Sequence, residues 1–283
     1  MEKRTPKVAV ISDVHLGTYG CHATELLNYL KSIKPEILVL NGDIIDAWQF
    51  SKRYFPVSHL HVIKEIINLS VSGTHVVYIT GNHDEFLRRY TDIQLGNIKL
   101  TDKILLDING EKTWIFHGDV FDSTTKGSAK IIAKLGGHGY DLLILINSFV
   151  NWILKHTGRE RMSFSKRVKN AVKSAVKWID NFEKTAAELA INKGYDYVIC
   201  GHIHQPQKRI IEDKDGRKVT YLNSGDWIEN LTSLEFENGD WRIYQYHAEN
   251  ENAVKNRKPK EKLPVPVVES DEVYMYIESL VSA

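Results

Sequence analysis

Short apolar runs in this chain repeatedly break off into side chains that do not belong in a core. Val8-Ala9-Val10-Ile11 runs into Asp13 and His15, Ile37-Leu38-Val39-Leu40 into Asn41-Gly42-Asp43, and His75-Val76-Val77-Tyr78-Ile79 into Gly81-Asn82-His83-Asp84. Thr113-Trp114-Ile115-Phe116 runs into His117-Gly118-Asp119, and Tyr197-Val198-Ile199-Cys200 into Gly201-His202-Ile203-His204. Such runs read as strands buried on both faces, the pattern of parallel sheets. Residues 23–33 place Leu26, Leu27 and Leu30 on one face of an amphipathic helix, and residues 59–71 read as another. The alternation predicts an α/β fold. Val219–Leu222 and residues 231–247 read as antiparallel strands, with Asn238-Gly239 as a hairpin turn.

Functional groups of open α/β sheets gather beyond the carboxyl ends of the strands. Asp13, His15, Asp43, Asn82, His117, His202 and His204 are therefore expected to converge on one point. Asp13 and His15 lie two residues apart, so an extended backbone projects them to the same side. Carboxylate, imidazole and amide donors suit a borderline divalent ion such as Mn²⁺, Fe²⁺ or Zn²⁺. The set holds no thiolate, which excludes a Cys-rich structural zinc site. It is also too large for one tetrahedral ion. Two ions about 3.5–4 Å apart, sharing a carboxylate, would use all of it and would hold a phosphate and a nucleophilic hydroxide.

The rest of the composition is permissive. Lys+Arg total 37 against 36 Asp+Glu, so net charge makes no case for nucleic acid, and none is expected as a partner. The 2 cysteines, Cys21 and Cys200, do not form a disulfide framework and point to a reducing compartment. With neither a signal-peptide core nor an apolar run of spanning length, the expectation is a cytoplasmic protein.

The motifs D-x-H, G-D-x-x, G-N-H-D, H-G-D and G-H-x-H together resemble the signature of the calcineurin-like metallophosphoesterases, over roughly residues 7–247 without most of a helical insert. The resemblance implies a four-layer αββα sandwich with an inserted helical lid. It implies Asp13, His15, Asp43 and His204 at one metal, and Asp43 as the bridge with Asn82, His117 and His202 at a second, Mn²⁺ being the leading choice. It implies that Asn82 and His83 contact the phosphate, that His83 protonates the leaving oxygen and that Asp84 orients His83. The chain further resembles the UDP-2,3-diacylglucosamine hydrolase branch of lipid A biosynthesis: Asp46-Ala47-Trp48 follows Gly42-Asp43, and Phe86-Leu87 follows the G-N-H-D block. That likeness implies hydrolysis of the pyrophosphate to UMP and an acylated glucosamine 1-phosphate. The alternative is a soluble phosphodiesterase or phosphatase for another nucleotide, with the insert as an oligomer interface. Two departures are visible: the branch's best-known members carry Arg where this chain has His83, and Glu85 is an additional residue before Phe86.

The division expected is a metallophosphoesterase domain over 1–123 and 194–248, a helical lid over 124–193, and a charged linker and tail over 249–283. Within the lid, Leu142–Leu154 is apolar nearly all round, either a core helix or a wall for acyl chains or a membrane-facing surface. Residues 155–178 follow with eight Lys and Arg against Glu160 alone. Lys166, Arg167, Lys169 and Lys173 are the candidates there for holding substrate phosphate, and the run suits peripheral contact with an anionic membrane, at about 1 kcal/mol per basic residue. His22, His59, His61, His75, His138 and His156 read as structural or surface residues. Asn223 and Asp226 read as turn formers or as partners orienting the imidazoles, and Trp48 as a core residue or a stacking platform.

Overall fold

The computed structural model describes residues 3–48, 54–124 and 164–247. The expected tail and residues 125–163 of the expected lid, with Leu142–Leu154, His138 and His156, lie outside the described residues.

The apolar runs form strands β1 (Val8–Ile11), β2 (Ile37–Asn41), β3 (His75–Ile79), β7 (Glu111–Phe116) and β8 (Tyr197–Cys200). Between the first three lie helices α1 (Ala23–Ser32) and α2 (Val57–Val71). After β3 come β4 (Gln94–Leu95), β5 (Ile98–Thr101) and β6 (Lys103–Ile108); after β8 come β9 (Gln207–Glu212), β10 (Lys218–Asn223), β11 (Thr232–Glu237) and β12 (Asp240–Gln245). Helix α3 (Phe164–Lys193) precedes β8. Strands β4, β5, β6 and β9 were not predicted. β6 and β9 are edge strands whose exposure alternates along charged sequence, so neither presents a continuous apolar run.

One sheet has the order β12-β11-β1-β2-β3-β5-β4, with β1, β2, β3 and β5 parallel. The other has the order β6-β7-β8-β10-β9, with β7, β8 and β10 parallel. The period of two along each strand assembles the layers. On β1 and β2, Ala9, Ile11, Leu38 and Leu40 face the cluster built with α1 and α2, while Val8, Val10 and Val39 face the second sheet. On β8, Ile199 faces the first sheet, while Val198 and Cys200 face α3. The result is the expected order of helix, sheet, sheet, helix, which explains why these runs are apolar on both sides.

The C-terminal half of α3, which the sequence groups with the lid, packs in this core. Phe182, Ala186 and Ala190 recur at helical spacing and are buried with Ala187 and Ile191 against β8 and β10. Phe182 lies under the turn after β7, where a β-carbon on Gly118 would come within 2.5 Å of its ring. Among the described residues no helix is long and apolar enough to cross a membrane. Truncating Phe182→Ala leaves a cavity between α3 and the sheet and is expected to cost about 3–5 kcal/mol in urea unfolding.

Candidate metal centre

The ends of β1, β2 and β3 in one sheet meet the ends of β7 and β8 in the other, and the seven candidate donors lie on those ends. The loops are bonded through their backbones: Asp13 N–H donates to Gly42 O at 3.1 Å, His15 N–H to Asp43 O at 2.9 Å, and Gly201 N–H to His117 O at 3.0 Å. Asp13, His15, Asp43, His202 and His204 all adopt positive φ, between 52° and 66°. L residues enter this region at a cost of roughly 1–3 kcal/mol each and hold it only where the surroundings impose it, as at functional sites. The turn carries each side chain back over the end of the sheet. Close approach is also required at Gly81, where a β-carbon would lie 2.2 Å from Asp43 Oδ1, and at Gly201, where it would lie 2.6 Å from Asp13 Oδ2.

Two groups of donors result, Asp13 with His15 and His204, and Asp43 with His117 and His202. His15, Asp43 and His83 form a third overlapping group. Asp13 and Asp43 are buried. Burial alone would raise both carboxyl pKa values, but His204 beside Asp13 and His117 beside Asp43 reverse this and hold both below the usual carboxylate value. His204 Nε2 lies 3.1 Å from Asp13 Oδ1, and His117 Nε2 lies 3.2 Å from Asp43 Oδ2. The imidazoles respond in kind. Burial would lower His117, but Asp43, Asp13 and Asp119 raise it to about 10. Burial would lower His204, but Asp13, Asp226 and Asp43 raise it to about 9.

The second nitrogens show which atoms face inward. His117 Nδ1 is 2.9 Å from Asn41 O and His15 Nδ1 is 3.0 Å from Asp46 Oδ2. Both partners only accept, so Nδ1 carries the proton and Nε2 is turned to the centre. His15 Nε2 and Asn82 Oδ1 are buried without a hydrogen-bond partner, while His117 Nε2 meets only the Asp43 carboxylate. A buried polar atom left unpaired costs about 1–3 kcal/mol, and an unpaired imidazole nitrogen of His15, which belongs to two of the carboxylate-bearing donor groups, fits a cation. The donor set therefore suits divalent metal.

Asp84 does not sit where the expectation put it. It is buried, accepts from Gly81 N–H at 2.6 Å, Ile44 N–H at 2.9 Å and Tyr78 Oη–H at 2.6 Å, and so braces the turns after β2 and β3 from below. The carboxylate against His83 is Asp46, whose Oδ2 lies 2.9 Å from His83 Nδ1 and also serves His15. Asp46 enters the sequence only as part of the Asp46-Ala47-Trp48 likeness and carries no expected site role, although an acid among Ile44, Ile45 and Ala47 signals a buried partner. His83 N–H donates to Asp43 Oδ1 at 2.8 Å. Its ring lies under the exposed indole of Trp48, with centroids 4.6 Å apart, so Trp48 is a rim residue and not a core one. Asn223 donates to Gly201 O at 2.8 Å, supporting the turn that carries His202. His59 is buried and accepts Gly17 N–H at 2.9 Å, while His22, His61 and His75 are exposed. Helix α3 runs through Lys166, Arg167, Lys169 and Lys173, but their side chains lie outside the described residues.

The profile of the calcineurin-like phosphoesterase family matches residues 6–206. The curated UDP-2,3-diacylglucosamine hydrolase of Neisseria gonorrhoeae is 28% identical over 243 residues, covering 83% of this chain and 95% of its own length. That of Aliivibrio fischeri is 26% identical over 246 residues, covering 85% and 97%. A solved archaeal phosphodiesterase aligns over 84% of this chain and 98% of its own at 17% identity, with a TM-score of 0.40.

A cation entering this centre competes with protons on His117 and His204, whose pKa values lie near 10 and 9. Below pH 9 both imidazoles hold protons that ligation must release, so affinity rises with pH, by up to about tenfold per unit for each proton displaced. Mn²⁺ titration calorimetry between pH 6 and 8, in buffers of different ionisation enthalpy, is expected to show both the rise and the released protons.

Proposed function

This chain belongs to the calcineurin-like phosphoesterase family and is a metal-dependent phosphoester hydrolase, and on that premise we propose that its substrate is UDP-2,3-diacylglucosamine, cleaved at the pyrophosphate to UMP and an acylated glucosamine 1-phosphate. The observation that carries this reading is the likeness to hydrolases of that name along more than four-fifths of the chain, with the donor cluster inside residues 6–206, which the family profile matches. Asp13, His15, Asp43 and His204 would hold one divalent ion, and Asp43, Asn82, His117 and His202 a second. Bound there, the ions supply a nucleophilic water and offset the charge of the phosphate.

The remaining work falls to the chain's own groups. His83 sits at the mouth of the centre with Asp46 behind it. Burial would lower its pKa, but Asp46 and Asp43 raise it above the ordinary histidine value, which favours the protonated form that can give a proton to the leaving oxygen. Asp46 positions two imidazoles with one oxygen, His15 toward the metal and His83 toward the leaving group. The basic start of α3 would hold the anionic lipid-linked substrate and bring the protein to an anionic membrane from the cytoplasmic side.

A second reading, a phosphodiesterase for a soluble nucleotide, is favoured by one feature. His83 keeps the general phosphoesterase histidine where the best-known lipid A hydrolases carry arginine.

Replacing His83→Ala is expected to leave metal content intact and lower turnover by roughly 10²–10⁴. Asp46→Asn, assayed at saturating metal, should move the alkaline limb of the rate profile to lower pH, because loss of the carboxylate lowers the His83 pKa. Metal loss in His83→Ala would make His83 a ligand instead of a proton donor.

The substrate is tested by UMP release from UDP-2,3-diacylglucosamine against hydrolysis of a small soluble diester. Changing Lys166, Arg167, Lys169 and Lys173 together to Gln should raise KM for the acylated substrate about tenfold or more and weaken binding to anionic vesicles. The soluble diester should be unaffected, since uniform binding is lost and not transition-state stabilisation. No UMP release alongside brisk diester hydrolysis would favour the second reading.

A further inference from the structure

We infer that Asp226 and Asn230 are positioning residues that hold His204 for one metal cluster, Asp13–His15–His204, and leave the other, Asp43–His117–His202, unaffected. The inference rests on the two-cluster reading and goes beyond it by assigning the turn after β10 to one cluster.

His204 has φ 54° and is only partly buried, so neither its own backbone preference nor its packing is enough to fix it. The turn from Asp226 to Asn230 supplies what is missing. Asp226 is buried, and its Oδ1 accepts from Ile228 N–H at 2.8 Å and Asn230 N–H at 3.0 Å, which closes the turn on the carboxylate. The other oxygen is directed across the turn. Oδ2 accepts from Asn230 Nδ2–H at 2.6 Å and lies 3.7 Å from His204 Nδ1. Asn230 Nδ2–H also donates to His204 O at 2.9 Å. A single amide thus ties the carboxylate to the histidine's backbone, while the carboxylate's charge faces the histidine's outer nitrogen. That charge favours the proton on Nδ1 and turns Nε2 inward, where it lies 3.1 Å from Asp13 Oδ1.

The same turn reaches the other side of the cluster. Trp227 N–H donates to Asp13 O at 3.1 Å, and Thr232 N–H donates to Asp226 O at 3.1 Å, anchoring the turn to β11. The turn therefore grips the backbones of both Asp13 and His204. The turns carrying Asp43, His117 and His202 are held by other groups: Asp84 bonds Ile44, Asn41 accepts from His117, and Asn223 donates to Gly201 O beside His202.

Asp226→Asn keeps the shape and the acceptor at Oδ1 but removes the charge facing His204. Asn230→Ala removes both amide bonds and sits at a partly buried position, so it gives a second test if the first variant folds poorly. Mn²⁺ titration calorimetry on the full chain is expected to show two ions in the wild type. In each variant one ion should keep wild-type affinity and the other should weaken about 10–100-fold, the usual effect of losing a group that orients a ligand. Melting of the metal-free variants should stay within a few degrees of wild type. In the background of Asp13→Ala, which already disables this cluster, adding Asp226→Asn should cause no further loss. Equal weakening of both ions, unchanged binding in both variants, or added loss in the Asp13→Ala background would overturn the inference. The wild-type stoichiometry tests the two-cluster reading by itself: uptake of one ion only would overturn that reading before any variant is considered.

Discussion

Two buried carboxylates set the terms for the rest of this molecule. Asp13 and Asp43 sit where the two sheets meet, 0% and 2% exposed, and each raises the cost of ionising the other. An anion removed from water costs several kcal/mol unless it is matched at short range. Here the match is imidazole: His204 on Asp13 and His117 on Asp43, each pushed well above its ordinary pKa by the charge it answers.

That constraint explains the backbone around it. Donors can converge on a point only if the chain reverses sharply as it leaves each strand, which is why five of the seven candidates occupy left-handed backbone. It also explains Gly81 and Gly201, whose missing side chains leave room for the two carboxylates. The strain is sustained by parallel strands locked between two layers of helix, where β1 is paired on both sides and β8 lies between β7 and β10. A rigid platform of this kind can hold several unfavourable turns at once because none can relax without breaking sheet pairing.

The acidic residues divide into distinct tasks that their types do not reveal. Asp13 and Asp43 face the centre. Asp84 faces away from it and holds two turns together through backbone N–H groups. Asp46 and Asp226 stand behind histidines, one serving His15 and His83, the other serving His204. Each task follows from which donors surround the carboxylate, and for each of them at least one of those groups lies twenty or more positions away in the chain.

The sequence by itself determined the strands that carry the centre, their burial on both faces and the polar residues at their ends, because apolar runs and abrupt polar stops are local patterns. The signature of motifs was likewise sufficient to indicate the family. It did not reveal edge strands β6 and β9, since a strand exposed on one face alternates polarity and merges with charged loops. Nor did it reveal that half of α3 belongs to the core, because Ala186, Ala187 and Ala190 are unremarkable until a sheet lies against them. The largest gap was in the partners of the histidines. Asp84 follows His83 in the chain and is expected to orient it, yet its carboxylate is taken up by Gly81, Ile44 and Tyr78, and the carboxylate that reaches His83 comes from the loop after β2. Proximity in sequence decides which strand a residue ends. Only the tertiary packing of separate strand ends decides which carboxylate meets which imidazole, because hydrogen bonds and charge act over a few ångströms of space and not along the chain.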